Sequence, residues 1–157
     1  MQTDWLIVDG YSLLYRDPSQ MKSDLASSRQ HLIRHLEAVS GFFAERVTIV
    51  FDGRTPMQEP DFHSRTVEIV FSPGDKTADT IIERLVHESP SPAGILVITS
   101  DRMERETVMA AGAETMSCGD FLDQCKRYEK RRPTPYPKPP SGHTLGDFFP
   151  KQKPKES

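Results

Sequence analysis

Four short apolar runs, each giving way to an acid or a turn within a few residues, limit most tightly what this chain can fold into. Trp5-Leu-Ile-Val8 ends in Asp9-Gly10, and Val47-Thr-Ile-Val-Phe51 ends in Asp52-Gly53. Val67-Glu-Ile-Val-Phe71 meets Ser72-Pro-Gly-Asp75, and Ile95-Leu-Val-Ile98 meets Thr99-Ser-Asp101. Runs this apolar, with little polar alternation, are strands buried on both faces, as in a parallel sheet covered by helices. The segments between them supply the helices. Leu25, Leu32, Ile33, Leu36, Val39, Phe42 and Phe43 recur at helical spacing, with Gly41 weakening the last turn. A second helix over 78–88 carries Ile81, Ile82, Leu85 and Val86. Thr77 is its predicted N-cap, which puts Asp79 in a first turn that favours a carboxylate. A third helix over 102–111 stops at Gly112, and 113–116 is a short edge strand. Ser117-Cys-Gly-Asp120 reads as a capping box for a last helix with Phe121, Leu122, Cys125 and Tyr128. Residues 10–23 and 54–66 read as polar connections. Strands alternating with helices define an α/β chain with right-handed crossovers.

Charge divides the chain unevenly. The net charge of −3 hides 20 acids against 11 bases over 1–125, then 9 bases against 3 acids over 126–157. Seven of the 13 prolines fall in 133–157. We therefore expect one domain over 1–132 and a basic, proline-rich, extended or disordered tail over 133–157, with Leu145, Phe148 and Phe149 as docking points. A basic end of this kind suits an anionic partner or serves solubility alone. No apolar run approaches the ~20 residues that cross a bilayer, and no secretory signal is read at the N-terminus. Cys118 and Cys125 would lie roughly 10 Å apart along one helix, too far for a disulfide, and lack C-x-x-C spacing. The expectation is a cytoplasmic protein without a membrane.

Three strands end in acids: Asp9, Asp52 and Asp101. Open α/β sheets bind ligands beyond the carboxyl ends of their strands, where the strand order reverses. If the first strand is central, Asp9 and Asp101 end on neighbours, and Asp79 at its helix start is the third carboxylate. Like charges this close raise one another's pKa unless a cation intervenes. Carboxylates without His or Cys select Mg²⁺ or Mn²⁺, which activate water and stabilise phosphoryl charge. Each Asp-Gly alone is ordinary turn chemistry; the compatible placement of three points to phosphodiester hydrolysis.

Val8-Asp-Gly-Tyr-Ser12, Val50-Phe-Asp-Gly53, Val67-Glu-Ile-Val-Phe71, Thr77-Ala-Asp79 with Ile82-Glu-Arg-Leu85, and Thr99-Ser-Asp101 follow in order. This series resembles the YacP-like branch of the NYN domains, within the PIN-like nucleases, over roughly 5–125. The resemblance implies a PIN-like three-layer fold around a central, mostly parallel five-stranded sheet. It implies an endoribonuclease using Mg²⁺ or Mn²⁺, with RNA as substrate and the ribosome as a partner. It makes Asp9, Asp79 and Asp101 the catalytic and metal-binding acids, with Asp52 near the metal. Where the family usually has Asn in D-G-Y-N, this chain has Ser12, whose shorter hydroxyl still reaches a phosphate or a bound water. That departure motivates an alternative, an RNA- or ribosome-binding module with weak or no catalysis.

Arg54, Lys76 and Arg102, with Arg16 and Arg65, lie on loops near the motifs and are candidates to hold RNA phosphates. Thr99 and Ser100 either contact substrate or cap the next helix, capping being favoured. Lys126-Arg-Tyr-Glu-Lys-Arg-Arg132 either binds RNA, with Tyr128 stacking, or ends the last helix with Tyr128 on the core side. His31 and His35 lack the Glu of H-E-x-x-H and read as solvated or half-buried. The D-x-D of haloacid-dehalogenase phosphatases, the acidic pair of receiver domains, G-x-G-x-x-G and the P-loop are all missing.

Overall fold

A strand buried on both faces has no water to bond its amides, so such strands must pair with one another. In the computed structural model, which describes residues 3–22, 24–53 and 64–131, that pairing makes a five-stranded sheet. Its strands are β1 (Thr3–Asp9), β2 (Ala44–Phe51), β3 (Val67–Phe71), β4 (Ile95–Ile98) and β5 (Glu114–Met116). They run in the order β3-β2-β1-β4-β5, and every pairing is parallel. The helices are α1 (Gly10–Arg16), α2 (Leu25–Phe43), α3 (Ala78–Glu88), α4 (Arg102–Ala110) and α5 (Cys118–Arg131).

The alternation of β1 builds three layers. Leu6 and Val8 enter a core with Leu13 and Leu14 of α1, Leu32 and Leu36 of α2, and Phe121 of α5. Ile7 enters the opposite core with Ile82 and Val86 of α3 and Val108 of α4. The side chains of the central strands, such as Leu6 to Val8 and Ile95 to Ile98, thus leave water on one face or the other, which explains the continuous apolar runs. The parallel strands bring all their carboxyl ends to one edge. β1 lies between β2 and β4, so the order reverses beside it.

Several elements differ from their sequence reading. The stretch 10–23, read as a connection, opens with α1, where Tyr11, Leu13 and Leu14 are buried. Seven residues are about two turns, too few for a helical period to stand out. β1 and β2 start earlier than their apolar runs, because Thr3 and Ala44 are already in register on the ladder. Gly41 does not weaken α2 enough to end it before Phe43.

Gly10 is required by close approach: a Cβ there would sit 2.5 Å from two carbons of the Phe51 ring. α1 therefore starts directly against β2, which sets where Asp9 ends. Cys118 and Cys125 are both buried, free thiols on α5. Tyr128 packs on Phe42, ring centroids 4.5 Å apart, as its core-side reading required. No helix among the described residues is long and apolar enough to cross a membrane. The expected tail, 133–157, lies outside the described residues.

Candidate active site

Asp9 is the last residue of the central strand and the N-cap of α1, yet its side chain makes no capping hydrogen bond. It is directed instead to Thr99, the residue after β4, whose hydroxyl lies 3.2 Å from Asp9 Oδ2. The same hydroxyl lies 3.0 Å from Glu104 Oε2 and accepts the Asp101 backbone N–H at 3.2 Å. Thr99 was expected to cap α4. The cap is Asp101, whose Oδ1 accepts the N–H groups of Met103 at 2.9 Å and Glu104 at 3.4 Å. Capping places Glu104 on the third helical position, one turn in, facing back over the sheet edge.

Asp79 comes from the other direction, on the first turn of α3. Thr77 Oγ1 caps that helix by accepting the Thr80 N–H at 3.1 Å. One carboxylate oxygen from each of Asp9, Asp79 and Glu104 lies within 4.8 Å of the others. Asp9 is 8% exposed and Glu104 only 2%. Asp101, expected as a third ligand, is exposed and adjoins Asp79, with which it shares a hydrogen bond. Asp52 acts on Asp79 through its charge and lines the same cleft. Five acids therefore converge, from the end of β1, the residue after β2, α3, the β4–α4 turn and α4.

Their electrostatics follow from burial. Burial, then the Asp79 charge, pushes Asp9 up to about 6. Glu104 is pushed up to about 10 by burial, then by the charge of Asp9 and its contacts with Asp79. Burial also raises Asp79, helped by the charges of Asp101 and Asp52, while a hydrogen bond with Glu104 pulls it down. Thr99 has one proton to donate, so it cannot satisfy the carboxylates of Asp9 and Glu104 together. Among the described residues, Glu104 Oε1 is buried and has no hydrogen-bond partner. An orphaned carboxylate oxygen inside a ring of hard oxygen donors is what a proton or a small divalent cation relieves. The residues present fit Mg²⁺ or Mn²⁺.

Asp9, Asp52 and Asp79 line a cleft of about 670 Å³ together with Tyr11, Ser12, Tyr15, Arg16, Thr77, Ala78 and Ser100. Ser12 sits in its wall, its Oγ 3.5 Å from Thr99 Oγ1 and accepting the Ser100 N–H at 3.4 Å. Lys76 is half-buried in the turn before Thr77, its carbonyl accepting from Ser72 Oγ at 2.8 Å. Arg102 is exposed on the first turn of α4. Neither belongs to the cleft lining, whereas Arg16 does. Arg54 lies outside the described residues.

Sequence reasoning missed Glu104. The visible signal was Asp101-x-x-Glu104 after a buried strand, which reads as a capping box whose Glu bonds back to the cap. Thr99→Val is expected to lower Mn²⁺ affinity about 10- to 100-fold, since the hydroxyl orients two of the donors. Calorimetric titration measures it, and an affinity equal to the parent's would remove Thr99 from the site.

A wholly parallel sheet in this order, with acids gathered at its carboxyl edge, is the fold of the PIN-like nucleases. The chain belongs to the YacP-like NYN domain family, whose model matches residues 6–145. It is similar to the crystal structure of Rae1 (YacP) from Bacillus subtilis: TM-score 0.70, 28% identity, covering 82% of this chain and 76% of that one. The W164L mutant of that protein gives a TM-score of 0.65 and 29% identity, with 82% and 78% covered. No curated protein matches the sequence.

Proposed function

We propose that this chain is a metal-dependent endoribonuclease that hydrolyses the phosphodiester bonds of RNA. Asp9, Asp79 and Glu104 are the residues that would hold Mg²⁺ or Mn²⁺, with Asp101 and Asp52 beside them. The observation that carries the reading is the closure of three carboxylate oxygens, from Asp9, Asp79 and Glu104, within 4.8 Å, with Glu104 Oε1 buried and unpartnered among the described residues. A divalent cation there supplies an acidified water and a counter-charge for the phosphoryl oxygens. The chain's own contribution is to hold the acids. Thr99 orients Asp9 and Glu104, and the Asp101 cap fixes the turn of α4 on which Glu104 stands. Water attacking phosphorus in line breaks the P–O3′ bond, giving a 5′-phosphate and a 3′-hydroxyl.

Arg16 supplies positive charge at the cleft wall, and the bases of α5 supply it at the end of the domain. We place the nuclease domain over 1–132 and assign the basic segment 133–157 to contacts with RNA phosphates. The YacP-like NYN family resemblance supports RNA as substrate, and on it we extend the proposal to a ribosome-associated enzyme of the cytoplasm.

The test incubates the full chain with structured and unstructured RNA, with and without Mg²⁺ or Mn²⁺, beside an Asp9→Asn, Asp79→Asn variant. Metal-dependent cutting by the parent alone is the expected result. Cutting that persists in the double variant sinks the assignment of these acids. RNA binding without cutting leaves the non-catalytic module, which the Ser12 departure favours.

A further inference from the structure

Tyr15 is a large ring left 63% exposed in the lining of the acidic cleft. It is held there by a ladder of rings. One helical turn back on α1, Tyr11 stacks beneath it, centroids 5.8 Å apart and planes 22° apart. Tyr11 leans on Phe51 of β2 at 5.1 Å, and Phe51 stacks on Phe71 of β3 at 5.5 Å. The Tyr11 hydroxyl accepts from Arg29 Nη1 at 2.9 Å, and Arg29 is itself 1% exposed. Tyr15 thus rests on a rigid stack rooted in the core, and among the described residues Tyr11 is its one ring partner. An exposed aromatic costs solvation unless a ligand covers it, and a pre-positioned one loses little entropy when it is covered.

We propose that Tyr15 is a stacking platform for an unpaired nucleobase of the RNA substrate, beside the phosphate to be cut. This rests on the ribonuclease reading with single-stranded RNA as its substrate, and deepens it by naming the side chain that would require the strand to be single at that nucleotide. A base inside an A-form duplex is stacked on both faces and cannot slide onto a protein ring, whereas a loop or single strand offers its face freely. Arg16, the next residue and part of the same lining, suits the adjoining phosphate. Stacking reads the π-face that every base shares, so Tyr15 selects strandedness before sequence.

The test measures binding of a labelled, unstructured RNA oligonucleotide to the full chain carrying Asp79→Asn, so that the strand stays intact. An otherwise identical set carries one abasic nucleotide at each position in turn. Tyr15→Ala is expected to weaken binding about tenfold, and Tyr15→Phe to restore it. One abasic position is expected to cost the Tyr15 protein the same factor and the Tyr15→Ala protein nothing. In the active parent, Tyr15→Ala raises KM and leaves kcat near the parent's. Equal affinity of Tyr15 and Tyr15→Ala proteins, identical abasic profiles, or duplex bound as tightly as single strand overturns the platform. Because binding is read without cleavage, a chain that cuts no RNA but shows the abasic pattern refutes the nuclease while the platform stands.

Discussion

Glu104→Gln is expected to abolish metal-dependent RNA cleavage while raising, not lowering, metal-free stability at neutral pH, since glutamine needs no proton to be buried uncharged. With its proton held to about pH 10, Glu104 is a neutral acid in the metal-free protein, and an amide of the same shape reproduces its donor and acceptor. What glutamine cannot do is become an anion when a cation arrives. Losing a charged ligand removes several kcal/mol of transition-state stabilisation, about a thousandfold in kcat/KM. Thermal unfolding separates the two effects. A saturating cation stabilises the parent by about 2.7 kcal/mol at a hundred times its Kd, and the variant is expected to show no shift. A variant with the parent's metal-induced shift would place the cation elsewhere.

Metal-free stability is expected to fall as pH rises from about 4, and a divalent cation is expected to cancel that fall. The sign comes from the direction of the shifts. Between its unfolded value near 3.8 and its folded value near 6, Asp9 binds a proton in the native state that the unfolded chain has lost. The stability it contributes is complete below pH 3.8 and gone above 6, a drop of about 3 kcal/mol for a group so little exposed. Glu104, raised further, carries the decline towards pH 10, and Asp79 moves the same way. Urea melts in chelator at pH 5 and pH 8, repeated with Mn²⁺, measure it. A chelated protein equally stable at both would mean the acids are not pressed together.

Legibility in the sequence was divided by range. β3, α3 and β4 coincide with their predicted bounds, because a run of apolar residues and a Thr-x-Asp start are written in consecutive positions. α1 escaped detection because its seven residues are anchored by contacts to β2 and α2 rather than by a period of their own. Glu104 escaped, and Thr99 was read chiefly as a helix cap, for a different reason. A hydroxyl after a strand and an acid three residues beyond a cap are ordinary helix-start chemistry, and nothing local shows that both face another strand's acid. Asp101 shows the converse: its strand-end position made it conspicuous, while its side chain is engaged in starting α4.

The chain by itself determined that the strands would be buried and parallel and that three of them would be closed by acids, because burial on two faces and turn chemistry are properties of neighbouring residues. Only the tertiary structure decided which acids meet. With β1 between β2 and β4, residues 9, 79 and 104 share one edge, and the low-dielectric crowding that raises their proton affinity exists only once the sheet has closed around them.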